Sequence, residues 1–220
     1  MSLIAIGDVH GCARTLNVLL RKLDLQPDDH VVFVGDYVDR GPDSRGVIQT
    51  CIDLQESVRC TFLRGNHEAI MLDAIAPDAP IDAVAHWHQS GGGDMRASYP
   101  GGVIDPAHVT FLQSTELYLD TPDFFFVHGG IPPWRTTAHS AAQSDPDILL
   151  WTREHIDTQP RDVVWEKPVV CGHTPKPEPI DRPHLLMIDT GAAYVHRAGM
   201  GRLCAVRLPE REFVFADYAE

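Results

Sequence analysis

Five short apolar runs along the chain are each followed by a glycine together with Asp, Asn or His. Their β-branched and aromatic side chains are typical of buried strands. Apolar residues at helical spacing lie between the first runs, for example Leu16, Leu19 and Leu23. Because strands alternate with helical crossovers, the pattern predicts an α/β chain. The five runs are residues 4–6, 31–34, 60–63, 124–127 and 169–171.

Two further segments complete the pattern. Residues 203–208 and 212–216 are predicted to form a closing hairpin. Residues 77–123 contain prolines, a predicted short apolar helix and three consecutive glycines. Their apolar residues follow no clear helical or strand periodicity. We predict that this segment is a small insertion near the mouth of the site. The length suits a single domain over residues 1–220 with a substantial core.

The polar residues at the ends of the predicted strands indicate a common site. In α/β sheets the carboxyl ends of neighbouring strands open onto one crevice, where ligands bind. Three oxygen ligands and three imidazoles suit Mn, Fe or Zn better than calcium. With one shared carboxylate, six such groups match two ions roughly 4 Å apart, as in phosphoesterases. The six residues are Asp8, His10, Asp36, Asn66, His128 and His173.

The sequence motifs around these residues resemble those of a known family. Residues 7–11 read Gly-Asp-Val-His-Gly, residues 35–41 read Gly-Asp-Tyr-Val-Asp-Arg-Gly, and residues 65–68 read Gly-Asn-His-Glu. This set resembles the signature of the PPP serine/threonine phosphatases, which belong to the calcineurin-like metallophosphoesterases. His-Gly-Gly at 128–130 and Gly-His at 172–173 are similar to the two later metal motifs of that family. Each motif alone is weak, but five in family order are highly specific.

The resemblance implies an α/β sandwich of two mixed β-sheets flanked by α-helices, with the metal site at the carboxyl ends of strands. Residues 172–175 and 188–192 are similar to the bacterial and phage branch rather than to eukaryotic members. This difference leaves the substrate open while the chemistry stays the same.

The resemblance also implies a dinuclear metal site, with Mn²⁺ as the first choice and iron or zinc as alternatives. Asp36 is the implied bridging ligand, although the spacing alone does not show which carboxylate is shared. A water between two dications has its pKa pulled toward neutrality, and the resulting bridging hydroxide would attack phosphorus directly. The implied ligands are Asp8, His10 and Asp36 for one ion, and Asp36, Asn66, His128 and His173 for the other.

Three arginines are candidates for binding the phosphoryl group. Fixed cations stabilise the negative charge that spreads over the phosphoryl oxygens in the transition state. Arg40 and Arg153 are the first candidates, and Arg64 is a third. The alternative for Arg153 is an ion pair with Glu154 or another surface acid. For Arg64 the favoured alternative is an ion pair that supports its loop.

His67 is the predicted general acid for the leaving oxygen, because its neighbour Asn66 takes the place of metal ligand. Asp39 is predicted to orient the ring and to raise its pKa. Asp189 is expected to give hydrogen-bonding support without a metal role, and Trp87 to be a packing residue. The other histidines are predicted to be solvated or at helix ends. They are His30, His86, His88, His108, His139, His155, His184 and His196.

Composition indicates which binding partners and which cellular location to expect. The formal net charge of -13 argues against a nucleic-acid backbone as main partner, because such binding depends on neutralising phosphates. No apolar run approaches the ~18 residues that a membrane span needs. The chain starts without a basic segment and apolar signal core, and its five cysteines form neither a zinc pattern nor an even disulfide framework. We therefore expect a cytoplasmic protein with no nucleic-acid or membrane partner; the oligomeric state is left open.

These observations predict a metal-dependent serine/threonine protein phosphatase that acts on phosphorylated proteins or small phosphoesters. The alternative enzyme is a dinucleoside polyphosphate hydrolase, such as a diadenosine tetraphosphate hydrolase. Symmetrical hydrolases of that type are similar but usually carry alanine at the position of Asp39, which favours the phosphatase. A phosphate-binding module without catalysis is a third class, and the intact Asp36, Asp39 and His67 speak against it.

Overall fold

The computed structural model describes residues 2–220. These residues contain ten strands and eight α-helices, which alternate one by one only as far as residue 74. The strands are β1 (Leu3–Ile6), β2 (His30–Phe33), β3 (Arg59–Phe62), β4 (Tyr118–Asp120), β5 (Phe125–Val127), β6 (Val169–Cys171), β7 (Ile180–Arg182), β8 (Leu185–Met187), β9 (Arg202–Leu208) and β10 (Glu212–Asp217). The helices are α1 (Ala13–Leu23), α2 (Ser44–Leu54), α3 (Asn66–Ala74), α4 (Ile81–Trp87), α5 (Gly93–Ala97), α6 (Pro106–Gln113), α7 (Thr137–Gln143) and α8 (Pro146–Trp151).

The strands form two five-stranded sheets, with the orders β10-β9-β1-β2-β3 and β4-β5-β6-β8-β7. In the first sheet β1, β2 and β3 are parallel, while β9 is antiparallel to both β1 and β10. In the second sheet β5, β6 and β8 are parallel, with antiparallel strands at both edges. The prediction of two mixed sheets is confirmed, as is the closing hairpin formed by β9 and β10.

Both faces of the central strands are buried, which explains their continuous apolar sequences. On β1, Ala5 packs between the two sheets, whereas Ile4 and Ile6 pack on the side of α1 and α2. On β5, Phe126 points into the layer between the sheets and Phe125 into a separate outer cluster. The two sheets therefore share one apolar layer, and helices cover the outer face of the first sheet.

Residues 77–123 fold mostly into short helices that pack on the first half of the chain. Helix α4 packs against α3, and α6 packs against both α2 and α3. Between α4 and α5 the chain makes a single π-helical turn, His88–Gly92, where Gly91 has a φ of 113°. None of the helices in residues 2–220 is both long and apolar enough to span a membrane.

The prediction that the non-ligand histidines are solvated or at helix ends is wrong for His30 and His155. His30 is buried on β2 and its Nε2 lies 2.9 Å from the Thr61 hydroxyl. His108 lies at a helix end as predicted, in the first turn of α6, but it is buried within 2.8 Å of the Tyr99 hydroxyl. His155 is buried beside the Cys171 thiol. The partners of His30 and His155 lie 31 and 16 positions away in the sequence, so local polarity did not reveal their burial.

The burial of His155 predicts a specific loss of stability in acid. Burial lowers the pKa of His155 to about 4 from its usual 6.5, and the charges of Arg182 and His184 act in the same direction. The unfolded chain therefore binds this proton at higher pH than the folded chain. The contribution of His155 to stability is constant above about pH 6.5 and is lost as the pH falls toward 4. Its full size is about 3 kcal/mol.

We expect His155→Gln to remove this part of the pH dependence. The measurement is the free energy of unfolding in urea at several pH values between 7 and 4, for the variant and the wild type. His139→Gln, at an exposed position, serves as the control and should follow the wild-type curve. An unchanged slope in His155→Gln between pH 6.5 and 4 would contradict the prediction.

Candidate active site

The polar residues at the ends of β1 and β2 face each other. His10 donates from Nδ1 to the Val38 carbonyl at 2.8 Å, so the lone pair of its Nε2 points into the site. That nitrogen lies 3.3 Å from Asp36 Oδ2 and accepts from the Arg40 guanidinium. His10 and Asp36 are both buried. A backbone carbonyl that accepts from one ring nitrogen and leaves a lone pair on the other is the usual arrangement of a metal-binding histidine. In His10 this lone pair faces both Asp36 and Arg40.

Three predicted ligands of the second ion converge at the ends of β3, β5 and β6. His128 donates from Nδ1 to the Val34 carbonyl at 2.8 Å, which leaves a lone pair on its Nε2. That lone pair lies 2.9 Å from Asn66 Oδ1 and 3.5 Å from Asp36 Oδ1. Asn66 Oδ1 is also 2.8 Å from His173 Nδ1. Burial lowers the pKa of His128, which favours the neutral ring. Lone pairs that face one another suit a cation between them.

Asp8 contributes further unsatisfied atoms. Its Oδ2 accepts from the backbone N–H of His173 at 2.9 Å. Within residues 2–220, Asp8 Oδ1 and His173 Nε2 are buried side-chain atoms without a hydrogen-bond partner. Burial, together with the charges of Asp189 and Asp36, raises the pKa of Asp8 well above its usual range. Asp189 itself accepts from the Gly191 N–H at 2.9 Å.

The structure contains two groups of three candidate metal ligands. Within each group the ligand atoms lie within 4.8 Å of one another, and both groups include Asp36. One group consists of Asp36, His128 and His173, and the other of His10, Asp36 and His67. The group with His10 contains His67 in place of the predicted ligand Asp8. The His67 ring is also hydrogen-bonded to the Asp39 carboxylate. The donor set of buried carboxylate, amide and imidazole atoms fits two divalent cations.

The Glu68 carboxylate holds the surrounding loops together, a role that the sequence analysis missed. It accepts from the backbone N–H groups of Asp36, Tyr37 and Gly65, each at 2.8 Å. Burial, followed by the charge of Asp36, raises the pKa of Glu68 to about 7. A glutamate in the first turn of a predicted helix was the only local signal. Its bonds to the loop after β2 depend on the tertiary fold.

The predicted acid–base pair is in contact. His67 Nδ1 lies 2.7 Å from Asp39 Oδ2, and both side chains are buried. Burial disfavours the charged ring, but Asp36 and Asp39 outweigh it and raise the pKa of His67. The other oxygen of Asp39 accepts from the indole Nε1–H of Trp87 at 3.0 Å. Trp87 is therefore more than the packing residue that the sequence analysis predicted.

The three predicted phosphate-binding arginines differ in placement. Arg40 contacts His10, and its charge lowers the pKa of that ring after the larger effect of burial. Arg153 is exposed, donates from Nε to the Thr174 hydroxyl at 3.1 Å, and contributes to the low pKa of His173. No ion pair of Arg153 occurs in the described part of the chain, so the surface-pair alternative has no support.

Arg64 is turned toward the polypeptide after α6. Its guanidinium donates to the Thr115 hydroxyl at 3.1 Å and to the backbone carbonyls of Gln113 and Thr115 at 2.8 and 3.2 Å. This arrangement fits loop support better than a phosphate contact. The support comes from hydrogen bonds to carbonyl and hydroxyl oxygens and not from the ion pair that the sequence analysis favoured.

Two hollows open beside the ligand cluster. One of about 370 Å³ is lined by Arg64, His86 and Trp151, and the Trp151 ring packs edge-on against His173 with 5.7 Å between centroids. The other, of about 390 Å³, is lined by Arg40 and Tyr194, whose ring centroid lies 5.2 Å from the guanidinium carbon. Each hollow is larger than a phosphate ion.

Arg153→Ala is expected to keep the metals, to weaken inhibition by inorganic phosphate, and to lower turnover about 10²-fold. The reason is the loss of a charge-assisted contact that strengthens in the transition state. Phosphate inhibition constants and turnover with matched metal content are the measurements. Arg161→Ala is the control, because the Arg161 side chain is 84% exposed and pairs with its neighbour Asp162. If Arg153→Ala leaves both quantities unchanged, the phosphate-binding cation must be sought elsewhere.

Comparison with known proteins places these motifs in context. The sequence model of the calcineurin-like phosphoesterase family matches residues 1–197. Serine/threonine-protein phosphatase 1 of Salmonella typhimurium is 29% identical, over 90% of this chain and 90% of that protein. The asymmetrical bis(5'-nucleosyl)-tetraphosphatase PrpE of Oceanobacillus iheyensis is 28% identical, over 97% of this chain and 91% of its own length. The crystal structure of a putative diadenosine tetraphosphatase superposes with a TM-score of 0.73 at 22% identity, covering 100% of this chain and 94% of that one.

Proposed function

The chain belongs to the calcineurin-like phosphoesterase family, and we propose that it is a serine/threonine protein phosphatase that hydrolyses phosphoserine and phosphothreonine. The observation that carries this proposal is the contact between His67 and Asp39 beside the ligand cluster. A proton donor matters most for a poor leaving group such as the alkoxide of serine or threonine.

The residues that would hold two divalent ions are the six at the strand ends, with Asp36 shared. The unpartnered oxygen of Asp8 and the facing lone pairs of His128 and Asn66 support this assignment. When bound, the ions supply Lewis-acid activation of water and neutralise charge on the phosphoryl group. We propose manganese as the activating ion, since a mixed set of carboxylate, amide and imidazole ligands suits it.

The remaining steps belong to side chains of this protein. Arg40 and Arg153 would bind the phosphoryl oxygens and stabilise their growing charge. His67 would give its proton from Nε2 to the departing oxygen, because Asp39 occupies its Nδ1. The neighbouring carboxylates raise the pKa of His67, which favours the protonated ring that a general acid needs.

The second candidate is a dinucleoside tetraphosphate hydrolase, which the relatives support as strongly. The PrpE proteins and the putative diadenosine tetraphosphatase carry that activity in their names. The presence of Asp39 speaks against a symmetrical hydrolase, which usually has alanine at this position, whereas the PrpE relatives are named as asymmetrical hydrolases.

A direct comparison of substrates tests the proposal. Manganese-loaded protein is given phosphoserine and phosphothreonine peptides in one series and diadenosine tetraphosphate in another, and kcat/KM is measured for each. We expect the peptides to be the better substrates. A higher kcat/KM for diadenosine tetraphosphate would transfer the proposal to the second candidate, and turnover of neither class would refute both.

We also propose that residues 1–220 act as one catalytic domain in which 77–123 is a small insertion. The supporting observation is that β9 and β10, which follow the matched residues 1–197, complete the same sheet as β1. The cytoplasmic location stays a prediction.

A further inference from the structure

Trp87 connects the 77–123 segment to the acid–base pair. Its side chain has no exposed surface, and its Nε1–H donates to Asp39 Oδ1 at 3.0 Å. The other oxygen of the same carboxylate bonds His67 at 2.7 Å. Asp39 has no exposed surface either, so water does not compete for its oxygens. The indole and the imidazole together define the plane in which the carboxylate lies.

The backbone of Asp39 is held in an uncommon conformation. Asp39 and Arg40 have φ values of 68° and 67°, in the left-handed region that is unfavourable for residues with a side chain. The Asp39 N–H donates to the Ser44 hydroxyl at 3.1 Å. These features fix the turn but not the rotation of the carboxylate, which is set by its two side-chain donors.

The segment around Trp87 fits closely against this turn. A Cβ on Gly92 would lie 2.6 Å from the Trp87 ring, and a Cβ on Gly91 would lie 2.8 Å from the Arg40 nitrogen. Glycines at these two positions therefore allow the π-helical turn to fold over both the indole and the Arg40 backbone. The indole is held in one place by its surroundings, as a positioning group must be.

We propose that Trp87 is a positioning residue for the general acid: its indole N–H fixes the Asp39 carboxylate so that His67 faces the leaving oxygen. The inference rests on the proposed function of His67. It adds the 77–123 segment to the residues that the reaction needs. Without the indole donor, one buried oxygen of the Asp39 carboxylate would have no hydrogen-bond partner. The carboxylate would then rotate, and its hydrogen bond to His67 would be misaligned.

Trp87→Phe tests this inference because it keeps an aromatic ring and removes the N–H. We expect kcat on a phosphoserine peptide to fall on the order of 10-fold, less than the loss of the acid itself, with KM and metal content unchanged. Turnover of nitrophenyl phosphate, whose leaving group needs no proton, should change much less. Trp165→Phe is the matched control, since it removes an indole N–H bonded to the Pro132 carbonyl and should leave the ratio of the two substrates unchanged.

Two further measurements separate positioning from a general loss of structure. Trp87→Phe in an Asp39→Asn background should cost less than 2-fold more, because both changes act on one carboxylate. The Trp87 indole N–H signal in a nitrogen-15 NMR spectrum should shift in Asp39→Asn and stay in place in Trp165→Phe. Full additivity of the two losses, or equal losses on both substrates, would overturn the inference.

The proposed function and the inference about Trp87 would be refuted by different results. If Trp87→Phe does not fold, benzothienylalanine at position 87 provides a second variant, with sulfur in place of the indole N–H at nearly the same size. Wild-type protein that hydrolyses neither phosphate ester would refute the proposed function. Wild-type protein that hydrolyses both, with an unchanged substrate ratio in the position 87 variants, would refute only the inference about Trp87.

Discussion

Asp36→Asn is expected to lower both metal occupancy and turnover more than replacement of any other predicted ligand. The structure places Asp36 in both groups of candidate ligand atoms, 3.3 Å from His10 and 3.5 Å from His128. An amide has no charge to offset two dications and presents one acceptor oxygen instead of two. Metal ions contribute several kcal/mol to such reactions, so a loss on the order of 10³-fold or more is expected.

The measurement is metal content per chain by elemental analysis, together with turnover after chelation and after addition of manganese. Wild-type protein should lose activity on chelation and recover it with manganese. Asp29→Asn is the control, because Asp29 is a buried carboxylate that bonds the Ser2 N–H away from the site. Two retained ions per chain in Asp36→Asn would show that the shared ligand is another residue. Full activity in metal-stripped wild type would exclude the dinuclear mechanism.

His67→Asn is expected to reduce turnover of phosphoserine peptides by roughly 10²–10⁴-fold, the usual contribution of a placed proton donor. The alkoxide of serine has a pKa far above neutrality and needs a proton as it leaves. Nitrophenolate leaves without one, so nitrophenyl phosphate should lose much less. Asp39→Asn should show a milder form of the same pattern, because the acid remains but is badly oriented.

The quantity to measure is the ratio of turnover for the two substrates in wild type and in each variant, with metal content checked in parallel. His108→Asn is the matched control, since His108 is a buried histidine bonded to Tyr99 and distant in sequence from the motifs. An equal loss on both substrates in His67→Asn would mean that His67 acts on the phosphoryl group or the attacking water. The role of general acid would then be given up.

The sequence by itself determined the strands that precede the predicted ligands, and which polar residues follow each of them. The apolar runs before Asp8, Asp36 and Asn66 are local patterns of a few residues, and the observed β1, β2 and β3 lie within one residue of them. A parallel arrangement of such strands brings their carboxyl ends to one edge, so the composition of the site followed from the motifs. The two mixed sheets followed from the family resemblance rather than from periodicity.

Only the tertiary structure decided which side chains support the site. Trp87 bonds Asp39 across 48 positions of sequence, and Glu68 bonds the Tyr37 N–H across 31. Arg64 follows β3 as the motif suggests, yet its guanidinium turns to the chain after α6. Hydrophobic periodicity and sequence motifs predict individual helices, strands and loops, one at a time. Side-chain partners from distant segments, and the burial that follows from them, are set by how the elements pack.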